Sequence, residues 1–259
     1  MDYQNINTND SGINESVGEI VALENKLLSS PVPSGLKEES IQSINRLKRM
    51  VRMGGYSNEF ETVSKYIDWI VKIPWGNFSA DTLDIYQAKK IMDSSHYGME
   101  SVKNLILDYL ASMQLKQGNI SSRPIIPTQL QMNDESVFQR QAPKTENEHH
   151  VSTPVFLFVG LQGVGKTSIA KSIATSMNRK FARVSLGAIG DVRTLRGTPR
   201  YSLDGEPGQI VKSLIRCGTM NPVILLDEIE KSSGNAGLLN DVMATLLEVL
   251  DPEQNSNFI

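Results

Sequence analysis

Val155-Phe156-Leu157-Phe158-Val159 followed by Gly160-Leu161-Gln162-Gly163-Val164-Gly165-Lys166-Thr167 is the stretch that decides the fold. Five apolar residues in a row suit a strand buried on both faces, as in the centre of a parallel sheet. The next eight match G-x-x-x-x-G-K-[ST], and Ile169, Ala170, Ile173, Ala174 and Met177 then recur at helical spacing. Strand, glycine-rich turn and helix in that order are the context a phosphate-binding loop requires. A polyphosphate needs many hydrogen-bond donors at close range. Gly160, Gly163 and Gly165 leave the backbone amides unobstructed, and the helix that follows adds its positive N-terminus. Lys166 supplies a point charge for the β- and γ-phosphates, and the Thr167 hydroxyl is a ligand for Mg²⁺. The nucleotide-binding set is therefore Gly160, Leu161, Gln162, Gly163, Val164, Gly165, Lys166 and Thr167.

About sixty residues downstream, Val223-Ile224-Leu225-Leu226 is a second buried strand, ending in Asp227-Glu228. Ligands bind at the carboxyl ends of strands in open α/β sheets. There Asp227 holds Mg²⁺, directly or through water, and Glu228 orients and polarises a water for attack on the γ-phosphate. A guanine-specific enzyme would carry N-K-x-D, which is absent from the sequence. A small-molecule kinase has no use for a dedicated water-activating glutamate at this point. The expected ligands are ATP and Mg²⁺, and the expected reaction is hydrolysis.

Outward from this centre, Phe181–Leu186 reads as a strand and Gln209–Arg216 and Asp241–Leu250 as helices, so residues 154–259 are expected to form an α/β core with a parallel sheet. Upstream the periodicity is helical. Ile41, Ile44, Lys48 and Val51 share one stripe, and Phe60, Val63, Ile67, Ile70 and Val71 another. Leu83–Met92 and the segment from Met99 to Met113 add two more, and a short helix fits Ile20–Ser30, so residues 20–115 are expected to be all-helical. Trp69 and Trp75 are read as packing between helices, and the basic run Arg46–Arg52 as the solvated side of one. Residues 1–19, rich in Asn, Ser, Asp and Gly, read as a disordered tail, and residues 116–153 as a flexible, low-hydrophobicity insertion. His149-His150 in that insertion reads as a solvated pair rather than a metal site.

Composition sets the outer bounds. The 259 residues are 39% hydrophobic and 21% charged, with a formal net charge of -3. Nothing in that balance supports nucleic acid or an anionic membrane as partner. No apolar run approaches the roughly 18 residues a membrane span needs. The single cysteine, Cys217, excludes an internal disulfide. The first twenty residues lack both a signal-peptide core and the arginines of a mitochondrial presequence.

Several longer stretches resemble the ATPase module of the Lon ATP-dependent protease family, within the AAA+ superfamily. They are Lys166–Ala174, Arg179-Lys180-Phe181, Ser185-Leu186-Gly187, Asn221–Lys231 and, most specific, Leu246-Leu247-Glu248-Val249-Leu250-Asp251-Pro252-Glu253-Gln254-Asn255. Upstream, Tyr66–Ile70, Ile73-Pro74-Trp75 and His96–Lys103 match as well. The resemblance implies a P-loop AAA+ parallel-sheet core preceded by a helical segment. It also implies that Tyr97 and Gly98 lie near the adenine; a helix-start cap with a packed tyrosine is the alternative for that pair. A substrate-gripping pore loop would fall at Arg196–Gly208, with its aromatic at Tyr201, one place from the family's usual position. The family usually has Pro-Pro where this chain has Leu161-Gln162. By the same resemblance the intact protein is a serine-type endopeptidase working as a homo-oligomeric, hexameric ring on unfolded or misfolded proteins, in protein catabolism and quality control. The sensor asparagine, arginine finger, lid and Ser–Lys peptidase site are expected outside these residues. The long insertion at 116–153 is similar in texture to fungal peroxisomal Lon homologues, which implies the peroxisomal matrix, with the mitochondrial matrix as alternative. A nucleotide-binding AAA+ module without hydrolysis or peptidase activity of its own is the alternative function.

Overall fold

The computed structural model describes residues 7–52, 58–121, 155–187, 191–200, 202, 204–229, 231 and 236–251. Three helices come first: α1 (Asn7–Ser29), α2 (Ser34–Arg52) and α3 (Asn58–Lys72). Their apolar stripes meet in one core: Ile20, Leu23 and Leu27 from α1, Ile44, Leu47 and Val51 from α2, Ile67 and Ile70 from α3. Each fully buried aliphatic side chain contributes about 1.5–3 kcal/mol relative to exposure, so this stripe pattern rather than helix propensity holds the trio together. Trp75 packs against the same core and donates its indole N–H to the Ile70 carbonyl (2.8 Å). Two cations of the basic run on α2 form ion pairs, Arg46 with Glu59 and Lys48 with Glu24.

Two further helices, α4 (Ile85–Ser95) and α5 (Glu100–Ser121), pack on the helix that follows the glycine-rich loop, α6 (Lys166–Ser176). Asp84 caps α4 by accepting from the Gln87 N–H (3.0 Å). Ala88, Met92, Ile106, Leu110, Ile169, Ile173 and Met177 form this second core. The third core joins β1 (Phe181–Ser185), β2 (Val223–Asp227), the one-turn helix α7 (Arg193–Arg196), α8 (Gln209–Cys217) and α9 (Ala236–Leu250). The strands are parallel, with Ser185 opposite Asp227. The fold is thus α/β, a small parallel sheet with a helical segment ahead of it.

Three expectations need correction. Helix α1 starts at Asn7, so the tail read over residues 1–19 is helical from there on; once α1 is nucleated by its buried stripe, each added residue gains a hydrogen bond. Likewise α5 runs to Ser121, past the expected end at residue 115. The third concerns Val155–Val159, which is extended but belongs to no strand ladder among the described residues. Phe158 packs on the second core and Phe156 stands edge-on to Tyr109 (5.3 Å), while Val155, Leu157 and Val159 face outward and are exposed. An apolar run specifies burial, but a strand also needs a hydrogen-bonding neighbour, and β1 and β2 pair with each other. The insertion beyond residue 121, His149-His150 with it, lies outside the described residues.

The link between α3 and α4 is laced onto the α/β core. Asn77 donates from its side chain to the Gly218 carbonyl and accepts from the Met220 N–H; Ser79 exchanges two bonds with the Asn221 side chain; Thr82 N–H donates to Met177. Arg179 closes the seam with a two-pronged ion pair to Asp81 (2.7 and 2.6 Å).

Candidate functional site

The glycine-rich loop leads directly into α6. Gly163 (φ 80°) and Gly165 (φ 94°) hold left-handed conformations that L side chains rarely adopt. Gly165 is confined twice over: a Cβ there would lie 3.2 Å from the Ser168 hydroxyl and 3.5 Å from the His96 ring. From Gly160 to Val164 the loop is exposed, so its backbone is open to a ligand at the N-terminus of α6. Lys166 folds over it and donates to the carbonyls of Gly160 (2.6 Å) and Leu161 (2.8 Å). Its ammonium therefore stands at the mouth of the loop.

Pairing of β2 with β1 sets the other half. The Thr167 hydroxyl donates to Oδ2 of Asp227 at 3.4 Å, bringing the two expected metal ligands together. Neighbouring oxygens around an octahedral Mg²⁺ sit about 2.9 Å apart, given bonds near 2.1 Å, so this pair needs only a small adjustment to share the ion. Among the described residues no group of three or more His, Cys, Asp or Glu could hold a metal. Mg²⁺ does not require one, since it takes one or two protein oxygens and completes its shell with phosphates and water. The same Oδ2 accepts from Arg183 Nε (2.8 Å), a cation that sequence reading did not single out.

Glu228 follows in a left-handed conformation (φ 62°), an uncommon backbone state for a residue with a Cβ and one that gathers at functional positions. Its carboxylate accepts from Lys231 Nζ (2.6 Å) and from the Ser185 hydroxyl (2.9 Å). The Lys231 ammonium, and after it the Ser185 hydroxyl, hold the Glu228 carboxyl below the usual glutamate range. Gly187 passes so close that a Cβ on it would fall 3.0 Å from Glu228 Oε2 and 2.8 Å from Lys231 Cβ. Ser185 and Lys231 were missed in the sequence as partners of Glu228. The parallel register, which sets Ser185 beside Asp227, is what reveals the first.

Tyr97 is fully exposed and Gly98 adopts φ 70° in the corner between α4 and α5. The residue before them, His96, is buried and reaches the loop through Ser168. The corner is braced by Lys103, which is almost wholly buried and donates to Asp93 (2.7 Å) and to the His96 carbonyl (2.8 Å). That ion pair holds the Lys103 ammonium above the usual lysine range. The two described ends of the expected pore loop are tied together: Gly197 bridges Pro207 and the Thr198 N–H donates to the Glu206 carbonyl. Arg200 reaches from it to Glu39 and over the Tyr66 ring. Tyr201 itself lies outside the described residues.

These positions can be set against known proteins. A family profile described as "ATPase family associated with various cellular activities (AAA)" matches residues 156–259, the span that holds the loop and both acids. The Lon protease 2 of Thermus thermophilus is 38% identical over 245 residues, covering 95% of this chain. The Lon protease of Fervidobacterium nodosum is 38% identical over 241 residues, and Lon protease 1 of Bacillus subtilis 35% over 241, each covering 93% of the chain. The chain in turn spans 27%, 25% and 26% of those proteins' lengths. Residues 156–259 are accordingly a nucleotide-binding module of the AAA type, and over nearly its whole length this chain is a relative of the Lon proteases, matching their AAA+ ATPase module.

Proposed function

We propose that the chain binds ATP with Mg²⁺ and hydrolyses it as the ATPase module of a Lon-like, serine-type ATP-dependent protease. The observation that carries this reading is the approach of Thr167 to Asp227 at 3.4 Å beside the lysine-bearing loop. The amides of Gly163–Thr167 and the Lys166 ammonium would bind the β- and γ-phosphates, with Gly160, Leu161, Gln162 and Val164 shaping the loop. Thr167 and Asp227 would hold Mg²⁺, which when bound neutralises charge on the phosphate oxygens. Glu228 would orient a water and accept its proton as the water oxygen bonds to the γ-phosphorus and the bond to the β-γ bridging oxygen breaks. Tyr97 and Gly98, at an exposed corner next to the loop's support, are candidates for the adenine contact.

In the intact protein this turnover would drive unfolded or misfolded polypeptide through a hexameric ring toward a peptidase site, with Tyr201 as the gripping aromatic. The compartment proposed is the peroxisomal matrix, on the texture of the 116–153 insertion; import of a fluorescent fusion into peroxisomes or mitochondria separates the two matrices. Calorimetric titration with MgATP tests the core of the reading. Lys166→Ala abolishes binding while the melting temperature stays unchanged; undiminished affinity in that variant overturns the phosphate assignment.

A further inference from the structure

Among the described residues His96 bonds to neither acid of the site, yet it is buried against the loop from beneath. Its Nε2 lies 2.8 Å from the Ser168 hydroxyl and its Nδ1 2.8 Å from the Ser95 hydroxyl. Ser168 also lies 2.9 Å from the Gly165 carbonyl, and Ser95 is 3.0 Å from Ser172. On the Ser168 side one proton arrangement satisfies the contacts. Ser168 has a single hydroxyl proton, and it goes to the Gly165 carbonyl, which has no proton to offer. The imidazole then donates from Nε2–H to the Ser168 oxygen, while on its other side the Ser95 hydroxyl lies within bonding distance of Nδ1, of Ser172 and of the Ile91 (2.8 Å) and Met92 (3.2 Å) carbonyls. The result is a chain from His96 through Ser168 to the backbone of Gly165, with Ser95 packed behind the ring. It crosses between the α4–α5 corner and the first turn of α6.

The chain ends where geometry matters most. Gly165 is the N-cap of α6 and holds φ 94°. Its carbonyl, which accepts from the Ile169 N–H (2.9 Å) as well as from Ser168, sets the orientation of the peptide it shares with Lys166, whose amide points to the opposite side. Rotating that peptide would swing the amide away and alter the take-off of Thr167. Ser168 alone, exposed to solvent, would exchange its bond to Gly165 with water. The buried imidazole behind it fixes which way the hydroxyl points, and its ring limits how far Gly165 can sink.

We infer that His96 is a positioning residue for the nucleotide's phosphates, acting through the Ser168 hydroxyl on the Gly165–Lys166 peptide. The inference rests on residues 160–167 being the phosphate cradle. It makes the α4–α5 corner part of the triphosphate site, beyond any contact that Tyr97 makes.

The test is MgATP affinity of the chain and of five variants by calorimetry, with thermal melts alongside. His96→Phe keeps a ring and removes both bonds; it weakens MgATP about tenfold, the effect of one well-made hydrogen bond. His96→Gln places an amide N–H close to the Nε2 position and recovers affinity to within about threefold of the parent. Ser168→Ala, at an exposed site, weakens binding by a similar factor, and His96→Phe with Ser168→Ala loses no more than the worse single variant, because both cut one chain. Equal affinity in His96→Phe and parent, or no recovery in His96→Gln, overturns the inference. If His96→Phe lowers the melt, Ser168→Ala decides alone: parental affinity there is equally fatal. Lys166→Ala in the same series separates the two levels. If Lys166→Ala binds normally the cradle itself is wrong, whereas its loss with His96 and Ser168 variants unchanged removes only the positioning role.

Discussion

Thr167 and Asp227, sixty residues apart in the chain, meet hydroxyl to carboxylate at 3.4 Å. Helix α6 carries the first and strand β2 the second, so the contact reports how helix and sheet are docked. Arg183 from β1 shares the carboxylate at 2.8 Å. The three groups form a small crossing of charge in which the proposed divalent cation would compete with a guanidinium for one oxygen.

That crossing makes Asp227→Asn the informative substitution. The amide keeps the shape and loses the charge that Arg183 uses and a divalent cation would use. Calorimetry of ATP with Mg²⁺ and with EDTA should show the parent gaining affinity from the metal and Asp227→Asn gaining little, its two affinities within about threefold, while binding without metal persists through Lys166. A variant that responds to Mg²⁺ as strongly as the parent would remove Asp227 from the metal site.

The Glu228 carboxyl should titrate below the usual glutamate range, because Lys231 and then Ser185 stabilise its anion. The sign follows from linkage. A folded value below the unfolded one means the interaction stabilises the fold above the ordinary glutamate range and is lost as pH falls through the depressed value. Carbon-13 detected titration of the side chain measures it. Lys231→Ala raises the value more than Ser185→Ala, matching the order of the two causes. An unmoved midpoint in Lys231→Ala contradicts the pairing.

Gly187→Ala probes the same carboxylate by volume rather than charge. An added methyl would overlap both Lys231 and Glu228, at 2.8 and 3.0 Å. Overpacking of this kind costs about 1–3 kcal/mol, visible as a lower denaturation midpoint. It also pushes Glu228 off Lys231, so its titration moves toward the ordinary glutamate range. A parental midpoint and titration together would mean that the backbone at Gly187 yields freely.

Asp81→Ala tests the seam between the helical segment and the core. Arg179 and Asp81 are 18% and 12% exposed and doubly bonded. Removing the carboxylate leaves a half-buried guanidinium short of partners, a loss of about 2–3 kcal/mol in urea unfolding. Asp81→Asn, which keeps one acceptor, loses less. Equal midpoints for the alanine variant and parent would make the pair ornamental.

Much of this site was legible in the sequence because its chemistry is local. Eight consecutive residues define the loop, and two consecutive acids end a strand, so Gly160–Thr167, Asp227 and Glu228 needed no knowledge of the fold. Helix stripes such as Ile41, Ile44 and Val51 were legible for the same reason: periodicity lies within one element. What escaped were partners across elements. His96 is 72 residues from Ser168 and Ser185 is 43 from Glu228, and no spacing rule links a histidine at a helix corner to a serine under a loop. Arg183 looked like any exposed residue of a short strand until β2 was laid beside it. Val155–Val159 failed in the opposite direction, since its run of apolar residues described burial and was silent on whether a neighbouring strand would be there. Asp81 and Asn221 show a middle case. Asn221 stood inside a stretch that matched the family, but its task, clasping Ser79, appears only once the link between α3 and α4 is seen against it.

The laced link between α3 and α4 has a mechanical meaning. With Asn77, Ser79, Asp81 and Thr82 each fastened to the core, the strap that follows α3 is held along its length. Tension applied to the three leading helices would reach the ground beneath α6 and β2 as directly as through a welded joint, and so would any recoil of that ground travel outward along the same path.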